Sequence, residues 1–526
     1  MESQNAKPNI IIVMSDQQRA DLRKSNGYCL DTMPFLDSWS CGGVDFNRAY
    51  TPNPTCMPAR VSMFTGRYAE CHKVRTNHNA IDALYSKDLL DVFKENGYQT
   101  ALCGKNHSHH APDDFDFHEM TGHLGYEGEI NTSKEEIEFA DFLLNTKHME
   151  TDIPSPGGLE VQHPYRNVSS ALKFIDQADR EVPFFAWVSF AEPHNPYQVP
   201  EPYFNMFPPE SLPPTAGTEK NLDEKGVRFR WLRDRWEDVL GDNINERILR
   251  CRSNYHGMLR LIDDQLKRLI EGLRERDLEK NTIVIYVSDH GDFVGEYGLI
   301  RKGADLPDIL THIPFVWRGP DIVPQGKQTN SFVSLVDILP TLCDIIGAKI
   351  PFGCQGKSIL PILTNKEIPD KEFDCAYSES GFSGLYWNEK DALTLEAEGA
   401  SQNMVTFDCL NTWTQCGQVR MLRKGDYRIQ LDMMGTGYLY NVKEDPGELV
   451  NLWDNPDYFN LKTDMLTELT AAILRACDPL PVPHNRYRTK IHPKGYWFQP
   501  YASEDMGVRN TGSLTNMLNH MEPKKS

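Results

Sequence analysis

The chain has 526 residues, 40% of them hydrophobic and 25% charged, which is ordinary for a soluble globular protein of more than one unit. No apolar run approaches the roughly 18 residues that a membrane span needs, and a formal charge of −20 excludes nucleic acid as a partner, because phosphate backbones are held by clustered Lys and Arg. An anionic ligand would need a local basic pocket.

The N-terminal residues show no charged stretch followed by an apolar one, so the expected location is cytoplasmic, or periplasmic if a leader has been removed. Residues 8–15 form the first expected strand: the run Asn9-Ile10-Ile11-Ile12-Val13-Met14 ends in the polar Ser15-Asp16-Gln17-Gln18. Helix is expected at 89–96, strand at 184–190, and loops at 155–166 and 200–214. Residues 255–276 carry Met258, Leu261, Ile262, Leu266, Leu269, Ile270 and Leu273 at helical spacing. The strand that follows, 282–287, ends in Ser288-Asp289-His290-Gly291-Asp292. In open parallel sheets ligands gather at the carboxyl ends of strands, so these two polar tips are expected to share a site.

A further strand at 313–317 and a helix at 336–346 complete the expected catalytic unit, residues 1–375, an α/β domain with a large mixed sheet sandwiched by helices. Beyond it the pattern changes to short strands at 419–423, 427–431 and 438–442 and a helix at 461–477. This predicts a smaller α+β domain over 376–526. The tail after Asp478 is rich in His, Arg and aromatic residues and has two readings, a flap over the pocket mouth and a solvated basic tail. Twelve cysteines are scattered without paired spacing, as expected of mostly reduced thiols.

One cysteine stands apart. Cys56-Met57-Pro58-Ala59-Arg60, continuing to Thr65-Gly66-Arg67, has the form C-x-P-x-R-x4-T-G, whose chance expectation in this composition is on the order of 10⁻⁴. The motif resembles that of the type I, formylglycine-dependent sulfatases, whose fold is alkaline-phosphatase-like. Family-like segments run from about residue 8 to about residue 475.

The resemblance implies that Cys56 is oxidised to formylglycine by a maturase, and that the hydrated aldehyde attacks sulfur and then expels sulfate. It implies one divalent cation on Asp16, Gln17, Asp289 and His290, with Ca²⁺ the expected ion and Mn²⁺ or Mg²⁺ the alternatives. These ligand pairs, Asp-Gln and Asp-His, depart from the commoner Asp-Asp and Asp-Asn. Gly104-Lys105-Asn106-His107 resembles the G-K-x-H segment, giving Lys105 a sulfate-binding role and His107 the diol proton. Pro193-His194-Asn195-Pro196 makes His194 the general acid, Lys302 falls at the second sulfate-binding lysine, and Arg60 braces the nucleophile.

The expected activity is hydrolysis of sulfate esters, with sulfated carbohydrates such as glycosaminoglycan or algal polysaccharide fragments as substrates. The metal pairs also suit a phosphonate or phosphate ester hydrolase of the same superfamily, against which Lys105 and His107 count. A non-catalytic binder of sulfated glycans, with Cys56 left as a thiol, is the second alternative. A zinc hydrolase built on His107, His109 and His110 is the third, although adjacent histidines without cysteines are weak metal ligands.

Overall fold

The computed structural model describes residues 7–124, 133–303, 305–328, 330–368, 371–383 and 417–477, so the tail after Asp478 lies outside the described residues. Fourteen strands are described. In chain order they are β1 (Asn9–Ser15), β2 (Val44–Phe46), β3 (Ala49–Tyr50), β4 (Gln99–Gly104), β5 (Phe117–Glu119), β6 (Phe184–Ser189), β7 (Thr282–Ser288), β8 (Phe315–Arg318), β9 (Gly326–Gln328), β10 (Val333–Ser334), β11 (Cys375–Ser380), β12 (Val419–Lys424), β13 (Tyr427–Asp432) and β14 (Gly437–Asn441).

Eight of them form the main sheet in the order β5-β4-β6-β1-β7-β8-β2-β9. The five strands from β5 to β7 run parallel, and β8 is antiparallel to both of its neighbours, which makes the sheet mixed, as expected. Helices cover both faces. The consequence is visible in β1, where Ile11 and Val13 enter one core cluster while Ile10, Ile12 and Met14 enter another on the opposite side. A strand buried on both faces has no reason to alternate polar with apolar, which is why β1 and β7 read as continuous apolar runs.

The centre of the sheet sets up the site. β1 pairs in register with β7 so that Ser15 lies opposite Ser288, bringing the residues after each strand side by side. β6 flanks β1 on the other side, and the chain leaving it carries His194.

The helices differ from expectation in extent. The long helix Ile244–Glu275 begins eleven residues before the expected start, because Ile248 and Cys251 continue its buried stripe between arginines that mask the pattern. His163–Gln177 is a helix where the sequence suggested a loop to residue 166; its first turn holds Pro164, which is tolerated there because that N–H has no helical partner.

The smaller sheet β11-β12-β13-β14 is antiparallel, and the helix Phe459–Ala476 packs Met465, Leu469 and Ala472 against its Leu422, Ile429 and Leu439. Arg228 Nη2 donates to Asp432 Oδ2 at 2.6 Å, joining this layer to the main body. No helix among the described residues is long and apolar enough to cross a membrane. No disulfide joins the described cysteines.

Candidate active site

Cys56 opens the helix Cys56–Thr65, all ten residues of which are buried. Its thiol points at the carboxyl ends of β1 and β7. Cys56 Sγ lies 3.5 Å from Asp16 Oδ1, 3.2 Å from His290 Nε2 and 3.3 Å from Lys302 Nζ. The ligand atoms of Asp16, Cys56, Asp289 and His290 all fall within 4.8 Å of one another.

Arg60, one turn along the helix, ties these groups together. Its Nε donates to Asp289 Oδ2 and its Nη2 to Asp16 Oδ2, both at 2.9 Å, while Nη1 reaches Ser189 Oγ at 2.8 Å. The guanidinium lies over Trp187 of β6, 5.5 Å from the ring centroid. A planar fork of five donors is the one side chain that can serve two carboxylates and a hydroxyl at once.

Gln17 has a φ of 68°, a left-handed conformation that costs a non-glycine residue on the order of 1 kcal/mol. Its neighbours impose it. The Gln17 N–H donates to Asp289 Oδ1 at 2.9 Å, and its side-chain oxygen accepts from Lys302 Nζ at 3.0 Å. Tyr255 holds the Gln17 carbonyl at 2.7 Å.

Lys105 follows β4 and pairs with Asp16 Oδ2. The turn that aims it needs Gly104, whose φ is 108° and where a Cβ would lie 2.1 Å from the Ser189 carbonyl oxygen. Burial, then Lys105, lowers the His107 imidazole below its ordinary range, and a contact with the Cys56 side chain opposes this. His194 donates from Nδ1 to the Asn195 carbonyl at 2.6 Å, which turns Nε2 towards Lys302 Nζ at 3.2 Å.

All ten residues singled out from the sequence thus converge. The trio His107, His109 and His110 does not: His109 and His110 turn away to Asp88, which removes the zinc hydrolase reading. Several contributors went unrecognised. Asp292 accepts from Tyr197 at 2.7 Å and from the Gln17 amide, and it was within reach of sequence reading as the last acid of Ser288-Asp289-His290-Gly291-Asp292. His123 stacks on His194 with ring centroids 4.0 Å apart, and no local pattern around it signals that contact.

The family model for sulfatases matches residues 8–348. The chain belongs to the sulfatase family. It is a sulfuric ester hydrolase, similar to the arylsulfatase of Clostridium perfringens, 27% identical over 86% of this chain and 91% of that protein. The ulvan-active sulfatase of Formosa agariphila is 28% identical over 74% of this chain and 71% of its own. Among solved structures, the phosphonate monoester hydrolase of Agrobacterium radiobacter shares the fold with a TM-score of 0.71 at 23% identity, covering 89% of this chain and 96% of that one.

The electrostatics of this sulfatase suit a cation beside an anion. Burial and the neighbouring Asp16 charge push the Asp289 carboxyl up to about 6. Burial opposes ionisation of Asp16 too, but Lys105, His194 and Arg60 outweigh it and hold that carboxyl well below its ordinary range. The Cys56 thiol is likewise held low: burial and Asp16 oppose ionisation, and Lys105, Lys302 and His290 overcome them. Burial first, then Lys302, lowers His194 to about 4.

The donor set fits a metal ion. His290 donates from Nδ1 to the Gly291 carbonyl at 2.8 Å, so its Nε2 lone pair faces the two carboxylates. Two buried carboxylates, one of them pushed towards protonation, together with an imidazole lone pair make a site that a divalent cation neutralises.

Proposed function

We propose that this sulfatase releases sulfate from sulfated carbohydrates, with residue 56 acting as formylglycine and Asp16, Gln17, Asp289 and His290 holding a divalent cation, Ca²⁺ by preference. The observation that carries the reading is the position of Cys56, with Lys302 3.3 Å away, His290 3.2 Å away and Asp16 3.5 Å away in a fully buried cluster. The ulvan-active relative supports a carbohydrate substrate.

The metal, when bound, supplies Lewis acidity that lowers the pKa of the nucleophilic hydroxyl and offsets sulfate charge. The protein's own groups do the rest. Lys105 and Lys302 hold the sulfate oxygens, and Arg60 keeps both carboxylates in place as charge shifts, so little reorganisation is needed. A sugar alkoxide is a poor leaving group, and His194 protonates the bridging oxygen as the S–O bond breaks. In the free site His194 is neutral with Nε2 accepting from Lys302; the negative charge of a bound sulfate ester raises its proton affinity when the acid is required. His107 takes the second hydroxyl proton as sulfate leaves.

A phosphonate ester hydrolase is the second reading, favoured by the Asp16-Gln17 and Asp289-His290 pairs and by the fold shared with the Agrobacterium enzyme. Turnover of defined sulfated saccharides, 4-nitrophenyl sulfate and phenyl phosphonate esters separates the two. Sulfate release from a saccharide is expected to dominate; preference for phosphonates would reverse the assignment. Peptide mass spectrometry across Cys56, on protein from a host carrying the maturase, is expected to show the aldehyde. An unmodified thiol with no hydrolysis would leave a glycan binder.

A further inference from the structure

The chain leaving β4 carries three histidines, and only His107 turns towards Cys56. His109 and His110 converge on Asp88, the residue that caps the helix Leu89–Glu95. Asp88 Oδ1 accepts from the backbone N–H groups of Leu90 at 3.0 Å and Asp91 at 3.2 Å, as an N-cap should. That contact fixes the carboxylate and leaves Oδ2 facing both rings. His109 Nε2 lies 2.8 Å and His110 Nε2 2.7 Å from this one oxygen. The three side chains are closed off, with exposures of 0% for Asp88, 2% for His109 and 7% for His110.

The His109 contact is a hydrogen bond, and His110 Nε2 approaches the same carboxylate oxygen at ion-pair distance. A metal ion satisfies the carboxylate oxygen and both nitrogens together. Tetrahedral zinc has bonds of about 2.0–2.1 Å, which sets its ligand atoms about 3.3 Å apart, so the two contacts to Asp88 need to lengthen by only about half an ångström. Two imidazoles and one carboxylate favour Zn²⁺ over Ca²⁺, which prefers oxygen throughout.

We propose that Asp88, His109 and His110 form a second cation site, separate from the one beside Cys56, that takes Zn²⁺ with a water as fourth ligand. Its place in the fold gives it a bracing role. Asn106, between Lys105 and His107, donates to the His110 carbonyl at 2.8 Å, and the Asn106 carbonyl in turn accepts from Arg60 at 3.2 Å. Phe64, on the nucleophile helix, packs edge-on against His110 with centroids 5.0 Å apart. Zinc at this point cross-links the helix Leu89–Glu95 to the loop that aims Lys105 and His107.

The test uses full-length protein stripped of metal and dialysed against Zn²⁺ buffered at micromolar free concentration. Bound zinc is counted by atomic emission, and crystals of the same wild-type protein are measured at the zinc absorption edge. An anomalous peak between Asp88 Oδ2 and the two Nε2 atoms is expected, together with the loss of one zinc equivalent per chain in His110→Gln. Zinc only at Asp16 and Asp289, zinc nowhere, or an unchanged count in His110→Gln overturns the proposal. The edge measurement needs no variant, so a misfolded substitution cannot shield it.

Discussion

Arg60 Nε meets Asp289 Oδ2 at 2.9 Å in an ion pair with no solvent exposure on either side. The contact joins the helix Cys56–Thr65 to the tip of β7, and a second arm of the same guanidinium reaches Asp16 at the tip of β1. Losing one partner of such a pair strands a buried charge, which costs about 3–5 kcal/mol. Arg60→Lys keeps the charge but cannot span both carboxylates and Ser189. It is expected to lower stability by about 3 kcal/mol and kcat/KM by about 10²–10³-fold, read by thermal unfolding and by steady-state kinetics. Wild-type values in both would dismiss the bracing role.

Lys302 Nζ touches Gln17, Cys56 and His194, which places its charge beside residue 56, where the proposed reaction needs a sulfate-binding cation. Lys302→Ala and Lys105→Ala are each expected to cut kcat/KM for sulfate esters by about 10²-fold. Lys302→Ala removes the like charge that depresses His194, so the ring's pKa should also rise, and NMR titration of the His194 ring reports it. Unchanged kinetics in both variants would retire the two assignments.

His194→Ala separates chemistry from architecture. Only a poor leaving group needs protonation, so turnover of a sugar sulfate should fall by about 10²–10⁴-fold while 4-nitrophenyl sulfate loses about tenfold or less. Equal losses on the two substrates would make the residue structural.

Chelation tests the metal. Removing divalent ions is expected to abolish turnover, because the Lewis acidity that activates the nucleophilic hydroxyl is then lost; Ca²⁺ or Mn²⁺ restores it. Full activity after exhaustive dialysis against chelator would eliminate the cation from the reaction.

Stability should carry a pH signature from a place remote from Cys56. Asp263 accepts from the N–H groups of Phe35 and Leu36, both at 2.8 Å, and burial pushes its carboxyl up to about 7 from an ordinary 3.8. The folded chain therefore keeps a proton that the unfolded chain gives up. The resulting stabilisation is complete below pH 3.8 and is lost as pH rises through about 7. Asp263→Asn, which cannot ionise, should flatten the unfolding temperature across that window. A slope matching wild type would remove Asp263 as its source.

Much of this molecule is legible along the chain because contiguous residues carry it. Ile10 to Met14 and Ile283 to Val287 announce strands buried on both faces through unbroken apolar runs, and Cys56, Pro58 and Arg60 announce the reaction through chemistry at fixed spacing. The early start of the helix Ile244–Glu275 is harder to see, since Arg247, Arg250 and Arg252 around Ile248 and Cys251 dilute its stripe.

What only the tertiary structure decided is which distant groups share a cluster. Lys302 and Cys56 are 246 positions apart and touch, His109 lies two residues beyond His107 and faces the opposite way, and His123 finds His194 across the pocket with no local signal. The order of strands, with β1 between β6 and β7, brings the tips together, and packing against Trp187 and Phe64 sets where each side chain points. Sequence spacing determines neighbours within one helix or strand; between elements, the distance depends on sheet order and on the shape of the core.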